Sequence, residues 1–264
     1  MIQQIIRGGL LCAVAACLGG CGDADGPRVA NTGLDEEYWE RTDPHRVRVP
    51  TIVTAPLLNP VLEFPQERVW QMYYIELDNP WRDRGEARLM DRWVNPSAGQ
   101  AIADIGAGGG YYTFRYAPRV GAEGFVHAVD HDWRVARKMA WETKTHDTHN
   151  VLVTQVPTGQ LGLEEGRFDT VLMVGTGILF NCDRAARQGY IDQIARALRP
   201  GGQFLYVDTI NTEHFSAGMM CPESSGPDAI EMAAEHFVTE ERVDMNEMNG
   251  PGSFAIRFRL RAGR

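Results

Sequence analysis

The sequence predicts an α/β fold: a doubly wound, mostly parallel sheet of seven strands with an antiparallel hairpin at its C-terminal end. Three observations carry this expectation. Short apolar runs alternate with helical stretches from about residue 97 onward, and such alternation implies a parallel sheet with helices on both faces. The first run, 101–105, breaks into alternate glycines at Gly106, Gly108 and Gly110 before a helical stretch begins. The tail carries 242–248, a Gly250-Pro-Gly252 turn and 253–260, which read as two strands around a tight turn.

The chain opens with an address rather than structure. Met1 to Arg7 holds one positive charge, and the apolar run 10–18 leads into Leu18-Gly-Gly-Cys21. A charged start, a short apolar run and small residues before a cleavage point mark a secretory signal. The run is far below the roughly 20 residues that span a bilayer. Its Leu-Gly-Gly-Cys end resembles the lipobox of bacterial lipoproteins. That resemblance implies a lipid on Cys21 and a place in the bacterial cell envelope. The alternatives are a plain signal peptide, or a misplaced start codon ahead of a cytoplasmic enzyme. Residues 21–50 are small, polar and charged, as in a flexible tether. Residues 51–96 form an N-terminal extension: four prolines between 50 and 65 argue against a long helix there. Helices are expected over 66–76 and 82–93, the second amphipathic and stopped by Asn95-Pro96.

Residues 97–264 are the main domain. After strand 101–105, a helix is expected from Tyr111 to near Pro118, then strands 125–130 and 151–156 on either side of a helix at 133–143. Strand 168–174 opens with Phe168-Asp169, a helix covers 185–198, and Arg199-Pro-Gly-Gly202 turns into strand 203–208.

The glycines are the candidate binding element. They permit a sharp turn and let backbone N–H groups approach a ligand at a helix N-terminus. Their spacing does not give the dinucleotide fingerprint G-x-G-x-x-G/A, because Tyr111 falls on the third glycine position counted from Gly106. An NAD-linked oxidoreductase is disfavoured on that ground. Asp130 ends the next strand 20 residues after Gly110, where an α/β unit brings it to the edge of the same pocket and its carboxylate can accept both hydroxyls of a ribose.

The arrangement Asp104-x-Gly106-x-Gly108-x-Gly110 resembles motif I of class I S-adenosylmethionine (SAM)-dependent methyltransferases. The Asp130 strand end, Phe168-Asp169, the Leu198-Arg-Pro-Gly-Gly202 turn and the final hairpin follow in order, so the resemblance covers about residues 85–260. It implies a Rossmann-like fold, SAM as cofactor, and methyl transfer to a small molecule or other acceptor that the sequence does not identify. It also implies that Asp104, Gly106, Gly108 and Gly110 line the methionine part of SAM, that Asp130 holds the ribose, and that His131 borders the adenine. Two departures stand out. Relatives often carry an acid after the third strand, where this chain has Pro157 within Gln155–Gln160. They also often end the fourth strand in polar or acidic residues, where this chain runs Val174-Gly-Thr-Gly-Ile-Leu-Phe-Asn181. A methyl sulfonium needs alignment and exclusion of water more than acid–base help. A base is required only if the acceptor must lose a proton. No catalytic residue is identified; Tyr111, Tyr112 and Thr176 are neighbours of the methyl or members of the core.

Other constellations are weaker. His127, His131, His146 and His149 with Asp132 and Asp147 fit no metal-site spacing. Met219-Met-Cys221 reads as a loop, Cys182 and Cys221 as two free thiols or, in an oxidising compartment, a pair, and no Gly-x-Ser-x-Gly elbow is present. The formal charge of −9 leaves no basic excess for phosphates, so no nucleic-acid partner is expected. A lipid-anchored binding module that kept the fold without catalysis is the alternative function. Retention of Asp104, Asp130 and all three glycines speaks for the enzyme.

Overall fold

The computed structural model describes residues 28–29, 85–145, 148–176, 183–209, 226–249 and 252–262. The expected signal segment, Cys21, the helix at 66–76, His146, Cys182 and Met219–Cys221 lie outside them.

Five parallel strands form the centre: β2 (Ala101–Ile105), β3 (Phe125–Asp130), β4 (Val151–Gln155), β5 (Phe168–Val174) and β6 (Leu198–Thr209). β7 (Phe237–Asp244) and β8 (Ser253–Leu260) continue the sheet antiparallel, and β1 (Arg28–Val29), inside the expected tether, pairs antiparallel with β4. The order is β1-β4-β3-β2-β5-β6-β8-β7. The chain therefore winds outward from β2 to β4, returns to the other side of β2, and winds outward again. The reversal point lies between β2 and β5.

Alternation along each strand builds two apolar layers. Ile102, Val126, Leu172 and Leu205 face one way, under α1 (Glu86–Val94), α2 (Tyr111–Val120) and α3 (Trp133–Thr145). Ala103, Val171, Phe204 and Tyr206 face the other, under α4 (Arg184–Ala197) and α5 (Gly226–Ala233). All five residues of β2 are buried, as expected of a central parallel strand covered on both sides.

Helix α1 is fixed by polar contacts near its C-terminal end. Trp93 is buried, and its indole N–H donates to Glu241 Oε2 of β7 at 2.8 Å. Asp91 receives Arg115 and Arg119 of α2 at 2.7 and 2.8 Å. Asn95 takes the left-handed conformation (φ 42°) and its N–H closes onto the Asp91 carbonyl before Pro96, a helix stop that proline makes final.

Helix α2, the C-terminal hairpin and the start of β6 also depart from the sequence expectation. Helix α2 passes through Pro118 to Val120. Proline removes only one donor so near a helix end, and Asn150 Nδ2 donates to the carbonyls of Ala117 and Gly121 at 2.7 and 2.9 Å. The hairpin is longer-looped than expected: β7 begins at Phe237, and 246–249 is a short helix, α6, rather than strand. Arg199–Gly202 is the irregular opening of β6 rather than a separate turn, with a register shift against β5 and Gly201 at φ 76°.

A buried hydroxyl in α2 lacks a hydrogen-bond partner among the described residues. Tyr116 is fully buried in α2, its hydroxyl makes no hydrogen bond, and burial pushes its pKa upward. An unsatisfied buried hydroxyl costs about 1–3 kcal/mol, and removing it leaves the packing intact. Tyr116→Phe is therefore expected to melt at or above the wild-type temperature. A fall of several degrees in a thermal scan would show that the hydroxyl holds something in place.

Candidate functional site: the glycine loop and Asp130

The loop between β2 and α2 is shaped by backbone conformations that need glycine. Gly106, Gly108 and Gly110 have φ of 64°, 57° and 89°, the left-handed region that side chains disfavour. The N–H groups of Gly106 and Ala107 both donate to the Val129 carbonyl, at 2.8 and 3.1 Å, so the loop folds over the end of β3. A Cβ at Gly106 would lie 2.6 Å from Thr176 Cγ2, and one at Gly110 would lie 2.6 Å from the Phe114 ring. Thr176 thus stands across the reversal point, seated on the first glycine.

Asp130 joins the second half of the site to the first. It is 7% exposed at the end of β3. Its Oδ2 accepts the Gly108 N–H at 3.0 Å and its Oδ1 accepts the Asp132 N–H at 2.9 Å. Burial raises the carboxyl pKa, and the two backbone donors work against that rise. The glycine turn and the strand-end acid are thus in direct contact. His131 stands beside them, with Nδ1 3.6 Å from Asp130 Oδ1 and its side chain 74% exposed. Asp104 sits beneath the loop, 3% exposed, and accepts the Thr113 hydroxyl at 2.7 Å, tying β2 to α2.

Residues 102–202 match the family described as a methyltransferase domain. Over 156 residues the chain is 26% identical to the tRNA U34 carboxymethyltransferase of Methylococcus capsulatus, covering 58% of this chain and 45% of that one. Over 117 residues it is 28% identical to the arsenite methyltransferase of Halobacterium salinarum, covering 44% and 29%. The chain thus spans under half the length of these curated relatives. Among solved structures it is similar to the N-methyltransferase NodS of Bradyrhizobium japonicum in complex with S-adenosyl-L-homocysteine. That match has a TM-score of 0.59 and 17% identity, and covers 74% of this chain and 97% of that one. The fold is the class I methyltransferase fold.

On that methyltransferase fold the sequence motifs separate into two groups. The glycine loop and Asp130 lie at the C-terminal ends of the parallel strands, where open α/β sheets bind ligands. Phe168-Asp169 and Arg199-Pro-Gly-Gly202 meet at the opposite end. There Asp169 accepts the Ala101 N–H at 2.8 Å and Arg199 Nη1 at 3.0 and 3.1 Å. Both motifs hold the frame of the sheet.

Tyr111 and Tyr112 belong to the core. They are 1% and 3% exposed, and the Tyr112 hydroxyl donates to Glu86 Oε1 at 2.6 Å. Thr176 packs against the glycine loop at Gly106.

The segment after β4, where relatives often carry an acid, is built differently. The Val156 N–H donates to the Asp130 carbonyl at 3.0 Å. Beyond Pro157, the Gly159 N–H donates to the Tyr190 hydroxyl at 2.7 Å and the Leu161 N–H to Gln193 Oε1 at 2.9 Å. Helix α4 therefore clamps this wall of the site. Sequence reading placed Tyr190 on the apolar stripe and did not single out Gln193; their i,i+3 spacing was the available signal.

Among the described residues, no three of His, Cys, Asp and Glu gather as metal ligands would. His127 is 4% exposed within β3, with Nε2 2.7 Å from Thr154 Oγ1, and burial pushes its pKa down to about 4. An imidazole with its folded pKa below the unfolded value stays neutral in the fold while the unfolded chain takes up a proton. Stability is thus lost as pH falls from about 6.5 towards the folded value of about 4, by on the order of 3 kcal/mol over that window. Thermal melts across this range should show a smaller acid-side decline for His127→Gln than for wild type. Parallel curves would mean that another group sets the acid sensitivity.

Proposed function

We propose that this chain is a SAM-dependent methyltransferase, held at a membrane of the bacterial envelope by a lipid on Cys21. The observation that carries the enzymatic reading is the Asp130 bridge to Gly108. It joins a carboxylate fit for ribose hydroxyls to a glycine loop fit for close backbone approach, at the reversal point of the sheet.

The residues present fit the cofactor. The left-handed glycines at 106, 108 and 110 place no Cβ at those three positions of the β2–α2 loop. Gly106, Gly108 and Gly110 would hold the amino-acid part, with Asp104 bracing the loop from below. Asp130 would hold the ribose and His131 would border the adenine. When bound, SAM supplies an electrophilic methyl group on a sulfonium.

The chain's own contribution is placement. Thr176, packed on the glycine loop, closes the acceptor side, and the clamp from Tyr190 and Gln193 holds the adenine-side wall. Rigid walls of this kind align the reactants and keep water out. The charge of −9 favours a small-molecule acceptor over the tRNA named in the carboxymethyltransferase relatives.

Calorimetric titration of SAM and, separately, NAD into the full-length chain tests the reading. Micromolar SAM binding is expected, weakened at least about tenfold, or ~1.4 kcal/mol, by Asp130→Ala, with no comparable NAD binding. A folded chain that takes up no SAM would overturn it. The anchor is tested separately, by metabolic incorporation of labelled fatty acid. Label should enter the wild-type chain and be absent from Cys21→Ser; equal labelling, or none in either, would remove the lipid from the proposal.

A further inference from the structure

We propose that β1 turns the corner of the domain beside the end of β4 toward the bilayer, so that a lipid surface is the partner of residues 155–160 and lies next to the Asp130 end of the site. The proposal rests on the lipid-anchor reading above and adds to it the face that meets the membrane.

Strand register fixes where the anchor enters the fold. Arg28 pairs with Gln155 of β4 and Val29 with Thr154, antiparallel. Gln155 pairs in turn with Asp130 of β3. Arg28, Gln155 and Asp130 therefore stand in one row across the sheet, with Arg28 two strand spacings, or roughly 10 Å, from Asp130. Because β1 runs against β4, the chain reaches Arg28 from the end of the sheet that carries the glycine loop. Cys21 lies seven residues before Arg28. Fully extended, that length of chain spans at most about 25 Å.

A tether running through the whole of 21–50 would permit any orientation at the membrane. β1 cuts its free length to the residues between Cys21 and Arg28. A domain of about 180 residues measures roughly 40 Å across. A lipid on Cys21 therefore cannot reach a bilayer that faces the opposite end of the sheet, where Asp169 receives Arg199.

Charge supports the same face. β4 and the segment after it, 151–163, carry no charged side chain in a chain of formal charge −9. Thr158, Gly159 and Gln160 are exposed on that segment. Uncharged groups can approach an anionic lipid surface without the repulsion that carboxylates meet within a Debye length, about 10 Å. Charges resume at Glu164 and Glu165, whose side chains are 78% and 77% exposed, just before the start of β5 at the far end.

The test uses the full-length chain, lipidated on Cys21, in a parent form with Cys182→Ser and Cys221→Ser. One fluorophore is then placed through Thr158→Cys or Glu165→Cys. The probe surface is a vesicle of phosphatidylethanolamine and phosphatidylglycerol, with a quenching dye on a fraction of the headgroups. Quenching at 158 is expected to exceed that at 165 by at least about twofold, since the two positions lie toward opposite ends of a domain roughly 40 Å across. Arg28→Pro with Val29→Pro removes both N–H groups of β1 and should bring the two positions level. A flexible insertion of about twenty glycine and serine residues after Asp25 should do the same with β1 left in place. Equal quenching at the two positions in the parent form, or a difference that survives the paired prolines, would overturn the orientation. A parent form that does not bind the vesicles would remove the anchor and the orientation together, and would leave the methyltransferase reading standing.

Discussion

The carboxylate of Asp130 joins the two halves of the site. One oxygen holds the glycine loop through Gly108 and the other holds the turn after β3 through Asp132. The contact exists because β2 and β3 pair in parallel, with Ile105 beside Val129, so that both strands end at one level. It also requires that the loop after β2 fold over β3, which the two donations to Val129 accomplish. Glycine is needed at 106 and 108 for that path, and an acid is needed at 130 to receive it. Keeping a carboxylate buried is unfavourable in itself, and the two backbone donors offset part of that cost.

The rest of the molecule supports this contact at a distance. Asp104 and Thr113 fasten the strand before the loop to the helix after it. Tyr190 and Gln193 secure the next wall along, and Thr176 packs on Gly106 from the other side. Helix α1 covers the same face as α2 and is tied to the far hairpin through Trp93 and Glu241. The antiparallel pair β7–β8 thereby braces the layer that carries the loop.

Strands buried on both faces were legible in the sequence. β3 and β5 fall at their expected bounds, 125–130 and 168–174, because continuous apolar runs bracketed by turn residues leave little latitude. The pairing of Asp130 with the glycines was likewise legible, since a parallel unit fixes where its strand ends fall. Edges were not. In β7 only Phe237 is buried and Val238, Thr239 and Glu240 are exposed, so the strand has no apolar alternation to read. Helix α5 opens with Gly226-Pro227, which looks like a turn. The clamp from α4 depends on a hydroxyl and an amide crossing to another segment, a relation that local sequence does not encode. The same holds for Asp169 and Arg199, which stood out as family motifs while their partnership is set by the sheet.

That partnership has an implication for how the fold can diversify. Asp169 gathers the start of β2, the start of β5 and Arg199 into one knot at the end of the sheet remote from the glycine loop. The strand starts are thus held in register by groups at the end of the sheet away from the glycine loop. The loops at the opposite end can lengthen, shorten or change chemistry without loosening the framework that sets their spacing. Loop chemistry and structural integrity are, in this architecture, separately inherited properties, and one can drift while the other is kept.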